Sequence, residues 1–247
     1  YFERLRPLQR LYPNLYLNVV TTVTPDNAAV MPEFVSDVLE DLKPNALSIN
    51  LFRYHSLNHP PIPVEVIDAY EEATYIYADY LACGGIDHYG FFGKKVLASK
   101  EVIQKELILE VARNDTFVTP CTAGSLSYVI NEDGSVAACE ILEPEQNLGQ
   151  LSGTQRSGSP LGGPKSDDAS VVVALGTKPS PGNGSDSNGE VSFQSLIRSE
   201  RAKELRSWIR DTECRCTYEC AMSTNTLFSW PLARSTYLRV LRNLVTR

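Results

Sequence analysis

Two short segments rich in β-branched residues, with an amphipathic stretch between them, set the tightest limit on what this chain can fold into. Residues 15–24 (LYLNVVTTVT) read as a strand that stops at Pro25-Asp26-Asn27, and residues 46–54 (ALSINLFRY) read as a second strand. Between them, residues 30–42 place Phe34, Val35, Val38, Leu39 and Leu42 at helical spacing, and Pro44-Asn45 ends the run. Strand, helix and strand in that order predict a parallel βαβ unit, which needs helices on at least one face. Residues 64–82 (VEVIDAYEEATYIYADYLA) predict a long helix, announced by Pro60, Pro61 and Pro63 and stopped by Gly84-Gly85. Its tyrosines read as core and interface packing. A further helix is expected over 99–111. At the start, Phe2, Leu5, Leu8 and Leu11 share a helical face, although Pro7 argues against one regular helix there.

From Phe117 the character changes. Residues 126–139 read as strand, turn and strand, with Asp133-Gly134 as the hairpin signal. Residues 152–190 are dominated by Ser, Gly, Pro, Asn and Asp, with one short apolar patch at 169–175. Such a composition cannot bury enough apolar area to offset its ordering entropy, so a disordered insertion is expected at 152–190. Residues 191–211 then read as helical. The expected division is 1–115 and 116–247, an α/β part followed by a smaller α+β part, with no internal repeat.

Composition narrows the function. Lys plus Arg total 23 against 30 Asp plus Glu, a net charge of -7, so no basic footprint for nucleic acid or an anionic membrane surface is present. No apolar run approaches the ~20 residues of a membrane span, and no signal-peptide pattern opens the chain. A cytoplasmic protein is expected, and Tyr rather than Met at position 1 reads as part of a longer product. Asp37, Glu40 and Asp41 read as a solvated helix face. His55, His59 and His88 have no metal-ligand spacing and read as ordinary exposed histidines. There is no Gly-rich phosphate loop and no Ser/His/Asp order.

The unusual feature is six cysteines, five of them after residue 120. Cys121 is followed by twelve residues, Gly134, four residues and Cys139; later come Cys214, Cys216 and Cys220 in TECRCTYECA. Cys83 stands apart in LACGG and reads as a small buried hydrophobe. Three readings of the other five stay open on spacing: a metal or cluster site, disulfides, and packing cysteines. Four thiolates satisfy tetrahedral zinc, but zinc knuckles usually separate paired cysteines by two to four residues, against seventeen between Cys121 and Cys139. Soft iron and sulfide prefer thiolates converging from separate segments. The hairpin folds Cys139 back toward the segment of Cys121. Cys216 and Cys220 would share a face on a helical turn, and Cys214 and Cys216 on an extended backbone.

The stretch CTAGSLSYVINEDGSVAAC resembles the opening of a SPASM domain, the auxiliary-cluster domain of radical SAM enzymes. CEILEPEQNLGQL and the late CRCTYEC continue the resemblance. The N-terminal part is similar to the back half of the radical SAM partial (β/α)6 barrel, with LYLNVVTTVTPDN as its fifth strand and ALSINLFRY as its sixth. The family's Cys-x3-Cys-x2-Cys loop and its first four strands are missing, which implies that the catalytic loop lies upstream and that this chain alone is inactive.

The resemblance implies one auxiliary [4Fe–4S] cluster on Cys121, Cys139, Cys216 and Cys220, with Cys214 as the alternative fourth ligand. It also implies S-adenosyl-L-methionine and a second [4Fe–4S] cluster in the intact enzyme. Asn18, Thr21, Thr22 and Arg53 fall where family members approach SAM. The expected substrate is a peptide or small molecule attacked by a 5′-deoxyadenosyl radical, with a flavodoxin or ferredoxin as reductant. Rival readings are a non-catalytic peptide-recognition or accessory module and a structural zinc domain.

Overall fold

The computed structural model describes residues 1–12, 15–54, 60–85, 94–142, 146–151, 191–230, 232–234 and 238. His55, His59, His88 and the expected insertion at 152–190 lie outside the described residues. The chain divides into two compact units: Tyr1–Thr122 with Glu213–Arg247, and Ala123–Thr212. The expected boundary near residue 115 thus differs from the observed one. The last segment returns to the first unit, because its helix docks on helices of that unit through the polar contacts described below.

In the first unit α1 (Phe2–Leu11) runs unbroken through Pro7. One missing i→i−4 bond is tolerated because the helix is tethered by side chains: Arg6 donates to the carbonyls of Leu42 and Lys43, and Gln9 Nε2 to Asn45 Oδ1 at 2.6 Å. β1 (Asn18–Val23) and β2 (Ala46–Leu51) pair in parallel, in register from Asn18↔Ala46 to Val23↔Leu51. The predicted βαβ unit is therefore present. Its connecting helix is broken into a 3₁₀ turn (Ala28–Val30), α2 (Met31–Asp37) and a π turn (Val38–Leu42). Lys43, at φ 44, ends it in the left-handed conformation before Pro44. Asn27 shapes the entry, accepting from Thr24 N–H at 2.8 Å and donating to Thr22 O at 2.9 Å.

Alternation along β2 sends Leu47, Ile49 and Leu51 into the core, where they join Val23, Val35, Val66, Tyr70 and Ala73. α3 (Val64–Ala82) has the predicted bounds, and its apolar face carries Val66, Ile67, Tyr70, Ala73 and Tyr77. α4 (Lys94–Asn114) exceeds the predicted 99–111 at both ends.

The two edges of this small sheet are treated differently. Phe52 N–H donates to Val23 O at 2.8 Å, so the even-numbered residues of β2 turn their backbone groups toward β1 and Leu47 and Ile49 turn theirs away. Two of the outward groups are taken by helix side chains. Leu47 N–H donates to Tyr77 Oη at 3.4 Å, and Lys105 Nζ donates to Ile49 O at 2.9 Å. On β1 the outward groups belong to Asn18, Val20 and Thr22, and they meet no strand among the described residues. No barrel is formed among the described residues; the first unit is a two-stranded parallel sheet covered by helices.

The second unit holds the predicted hairpin, β3 (Val129–Ile130) with β4 (Ser135–Ala137), and β5 (Gly149–Gln150) pairs antiparallel to β4. Gly134 turns the hairpin at φ 84, a conformation that favours glycine. Asp133 braces the turn by accepting from Ser135 N–H at 2.8 Å, which holds its carboxyl below the usual range. The predicted helix at 191–211 is split into α5 (Phe193–Arg198) and α6 (Glu200–Asp211). Ser199 makes the break by leaving helical geometry and capping α6 through Ala202 N–H.

Candidate functional site

The cysteines occupy four segments. Cys121 lies in the irregular stretch after α4, and the next residue is fixed from α7 (Glu219–Phe228). Thr122 donates its N–H at 2.9 Å and its hydroxyl at 2.7 Å to Asn225 Oδ1, and Asn225 is buried. The helix that carries Cys220 in its first turn therefore also holds the segment of Cys121. Cys214 and Cys216 lie in the non-helical stretch before α7, so Cys216 and Cys220 do not share a helical face. Cys139 follows β4 and belongs to the second unit, whereas Cys121, Cys214, Cys216 and Cys220 belong to the first. Cys83 is exposed at the end of α3, not buried as its neighbours implied, because the helix has already turned to solvent there.

None of the six cysteines is joined in a disulfide. Among the described residues no three His, Cys, Asp or Glu side chains are grouped so as to hold a metal ion. The thiol donor set has the softness that a cluster requires, but its described arrangement does not fit a ready-made cluster site.

The residues expected near SAM do not form one surface. Asn18 and Thr22 lie on one face of β1 and Thr21 on the other. Asn18 Nδ2 donates to Ser48 Oγ at 3.2 Å, and Thr21 Oγ1 lies 3.6 Å from Met31 Sδ, on the core side. Arg53, just past β2, stacks its guanidinium 3.0 Å from the ring centroid of Tyr218. Tyr218 is itself buried, two residues before Cys220.

The most organised polar chemistry in the first unit surrounds Glu219, which the sequence did not single out. Its Oε1 accepts from Tyr70 Oη at 2.9 Å and from Lys105 Nζ at 3.5 Å, and Gln104 Nε2 donates to its Oε2 and, at 2.9 Å, to its carbonyl. Lys105 has a side chain 5% exposed and Glu219 one 19% exposed, so this ion pair is largely removed from water. Lys105 Nζ also lies 5.9 Å from the centroid of the Tyr70 ring. Lys100, equally buried, pairs with Glu101 and donates to Gln104 Oε1 at 2.9 Å and to Ser223 Oγ at 3.2 Å. Burial first, then the Glu219 charge, pushes the Tyr70 hydroxyl well above its ordinary range. Three helices, α3, α4 and α7, are cross-linked by these side chains. The one available signal was the spacing of Lys100 and Lys105 inside the apolar pattern of α4.

The cysteine run has a second anchor within it. Arg215 donates Nε to Asp115 Oδ1 at 2.8 Å and Nη2 to Asp115 Oδ2 at 2.6 Å, a two-pronged pair that raises the guanidinium pKa. Asp115 and Glu213 hold left-handed backbone at φ 47 and φ 50. Set beside protein-family models, curated proteins and solved structures, the chain matches none of them.

Proposed function

We propose that this chain is the auxiliary-cluster-bearing portion of a radical SAM enzyme of the SPASM type, acting on a peptide or small-molecule substrate. Thiolates of Cys121, Cys139 and Cys220, with Cys216 or alternatively Cys214, would hold the auxiliary [4Fe–4S] cluster. By the resemblance, Asn18, Thr21, Thr22 and Arg53 would serve the SAM side of the enzyme. The observation that carries the reading is Gly134. The motif needs a glycine between its first two cysteines, and here that glycine turns the β3–β4 hairpin at φ 84, with Cys139 just after β4. The β1–β2 pair adds support, since Tyr77 and Lys105 hold two outward backbone groups of β2 while the outward edge of β1 meets no strand among the described residues. The described thiol arrangement does not gather three ligands, so no reaction step is derived through the cluster.

Alanine replacement of each cysteine, with iron counted after anaerobic reconstitution, tests the assignment. Replacement of Cys121, Cys139 or Cys220 should abolish iron retention, and so should replacement of one of Cys214 and Cys216 but not the other. Loss on replacing Cys83, or retention in all five of the other variants, would overturn the assignment.

A further inference from the structure

Two neighbouring faces of the first unit expose apolar side chains flanked by charges of opposite sign. On α1, Leu8 and Leu11 share an outward stripe with Arg4, and Arg10 flanks it. Leu11 is 72% exposed, and no residue of α1 is buried. Arg6 is held to the carbonyls of Leu42 and Lys43, whereas Arg4 and Arg10 form no ion pair among the described residues. On the connection 28–42, Val30 and Phe34 are exposed together with Asp37 and Asp41, at successive spacings of four, three and four residues. Neither aspartate forms an ion pair among the described residues. We infer that two copies of this chain associate through these faces, with Leu8 and Leu11 of each packed on Val30 and Phe34 of the other and Arg4 and Arg10 opposite Asp37 and Asp41. The inference concerns the first unit and does not rest on the reading of the cysteines.

The second copy follows from self-complementarity. Both halves of the contact occur on one chain, so a copy supplies the charge that each face lacks. Arg6 holds α1 against the end of the connection 28–42, which makes the two faces neighbours. A two-fold axis between them forms the same contact twice. The net charge of -7 makes copies repel at long range, so association needs a local pairing of opposite charges around an apolar centre. Exposed ion pairs contribute little by themselves, and the four apolar side chains supply the area removed from water. The charges fix which face meets which.

Sedimentation velocity on the full chain measures the association, and a dimer is expected. Arg4→Glu with Arg10→Glu sets like charges across both contacts and should weaken self-association at least about a hundredfold, and Asp37→Lys with Asp41→Lys should do the same. An equimolar mixture of these two double variants again places opposite charges across both contacts and should recover the dimer. Leu11→Ser removes the apolar centre without altering charge and should also abolish self-association. All five positions are exposed, and circular dichroism checks that each variant is folded. An unaltered chain that stays monomeric at about 100 μM, undiminished association in any of the three variants, or a mixture that stays monomeric would overturn the inference.

Discussion

Tyr70 and Glu219, 149 residues apart in sequence, meet in a hydrogen bond of 2.9 Å from the phenol to the carboxylate. The bond joins α3 to the first turn of α7, and the same carboxylate takes Gln104 and Lys105 from α4. A charge this far from water is tolerated because its partners are present at once.

Glu219→Ala should be among the most destabilising substitutions in the first unit. It leaves the Lys105 ammonium, 5% exposed, with Ile49 O at 2.9 Å and the more distant Glu101 carboxylate at 4.0 Å, and takes the acceptors from Tyr70 and Gln104, so the expected loss is about 1–3 kcal/mol. Glu219→Gln retains acceptors for Tyr70 and should cost less. Denaturant unfolding of both variants checks the order.

Stability should fall on the alkaline side. The Tyr70 hydroxyl is raised by burial and by Glu219, and that of Tyr77 by burial and by Glu101. Above the unfolded value of about 10 the native state holds protons that the unfolded chain has released, so stability drops as pH rises through that window. Below it the contribution is fully present. Tyr70→Phe should show a shallower decline above about pH 10 than the unaltered chain, read from melting temperatures across that range.

Asn225→Ala should loosen the segment of Cys121 without touching the cysteine. Two donors of Thr122 lose their shared acceptor, at an expected cost of about 1–3 kcal/mol. Alkylation mapped by mass spectrometry should show faster modification of Cys121, with Cys83 unchanged.

In the second unit Gly149→Ala should be poorly tolerated. Gly149 has φ +143, and an added Cβ would lie 2.7 Å from Leu196 Cδ2. Backbone strain alone is of order 1–3 kcal/mol. Limited proteolysis should show earlier cleavage in Ala123–Thr212, with Tyr1–Thr122 retaining its resistance.

Much of the fold was legible where local signals agreed with packing. Prolines before Val64 and glycines after Ala82 bound α3 as read, and β-branched runs located β1 and β2. The misreadings have local causes. Ser199 looks like one more polar residue on a helix face, but its hydroxyl caps α6 and ends α5. Pro7 looks like a breaker, but tethers from Arg6 and Gln9 hold the helix through it. The Glu219 network left only a faint trace, the spacing of Lys100 and Lys105 within α4. A lysine or glutamate in a helical pattern reads as solvated surface, and only long-range packing turns Lys105 toward Ile49 O and Glu219. For the cysteines, the spacing around Gly134 was legible and the hairpin agrees with it. The path of the Cys214–Cys220 run was not, because it depends on Asp115, a hundred residues earlier.

Iron–sulfur binding by these thiols is read from metal content after anaerobic reconstitution with ferrous iron and sulfide. About four iron and four sulfide per chain are expected, with broad thiolate-to-iron absorption that bleaches on reduction. A colourless protein holding one tightly bound zinc, or no metal at all, would contradict it.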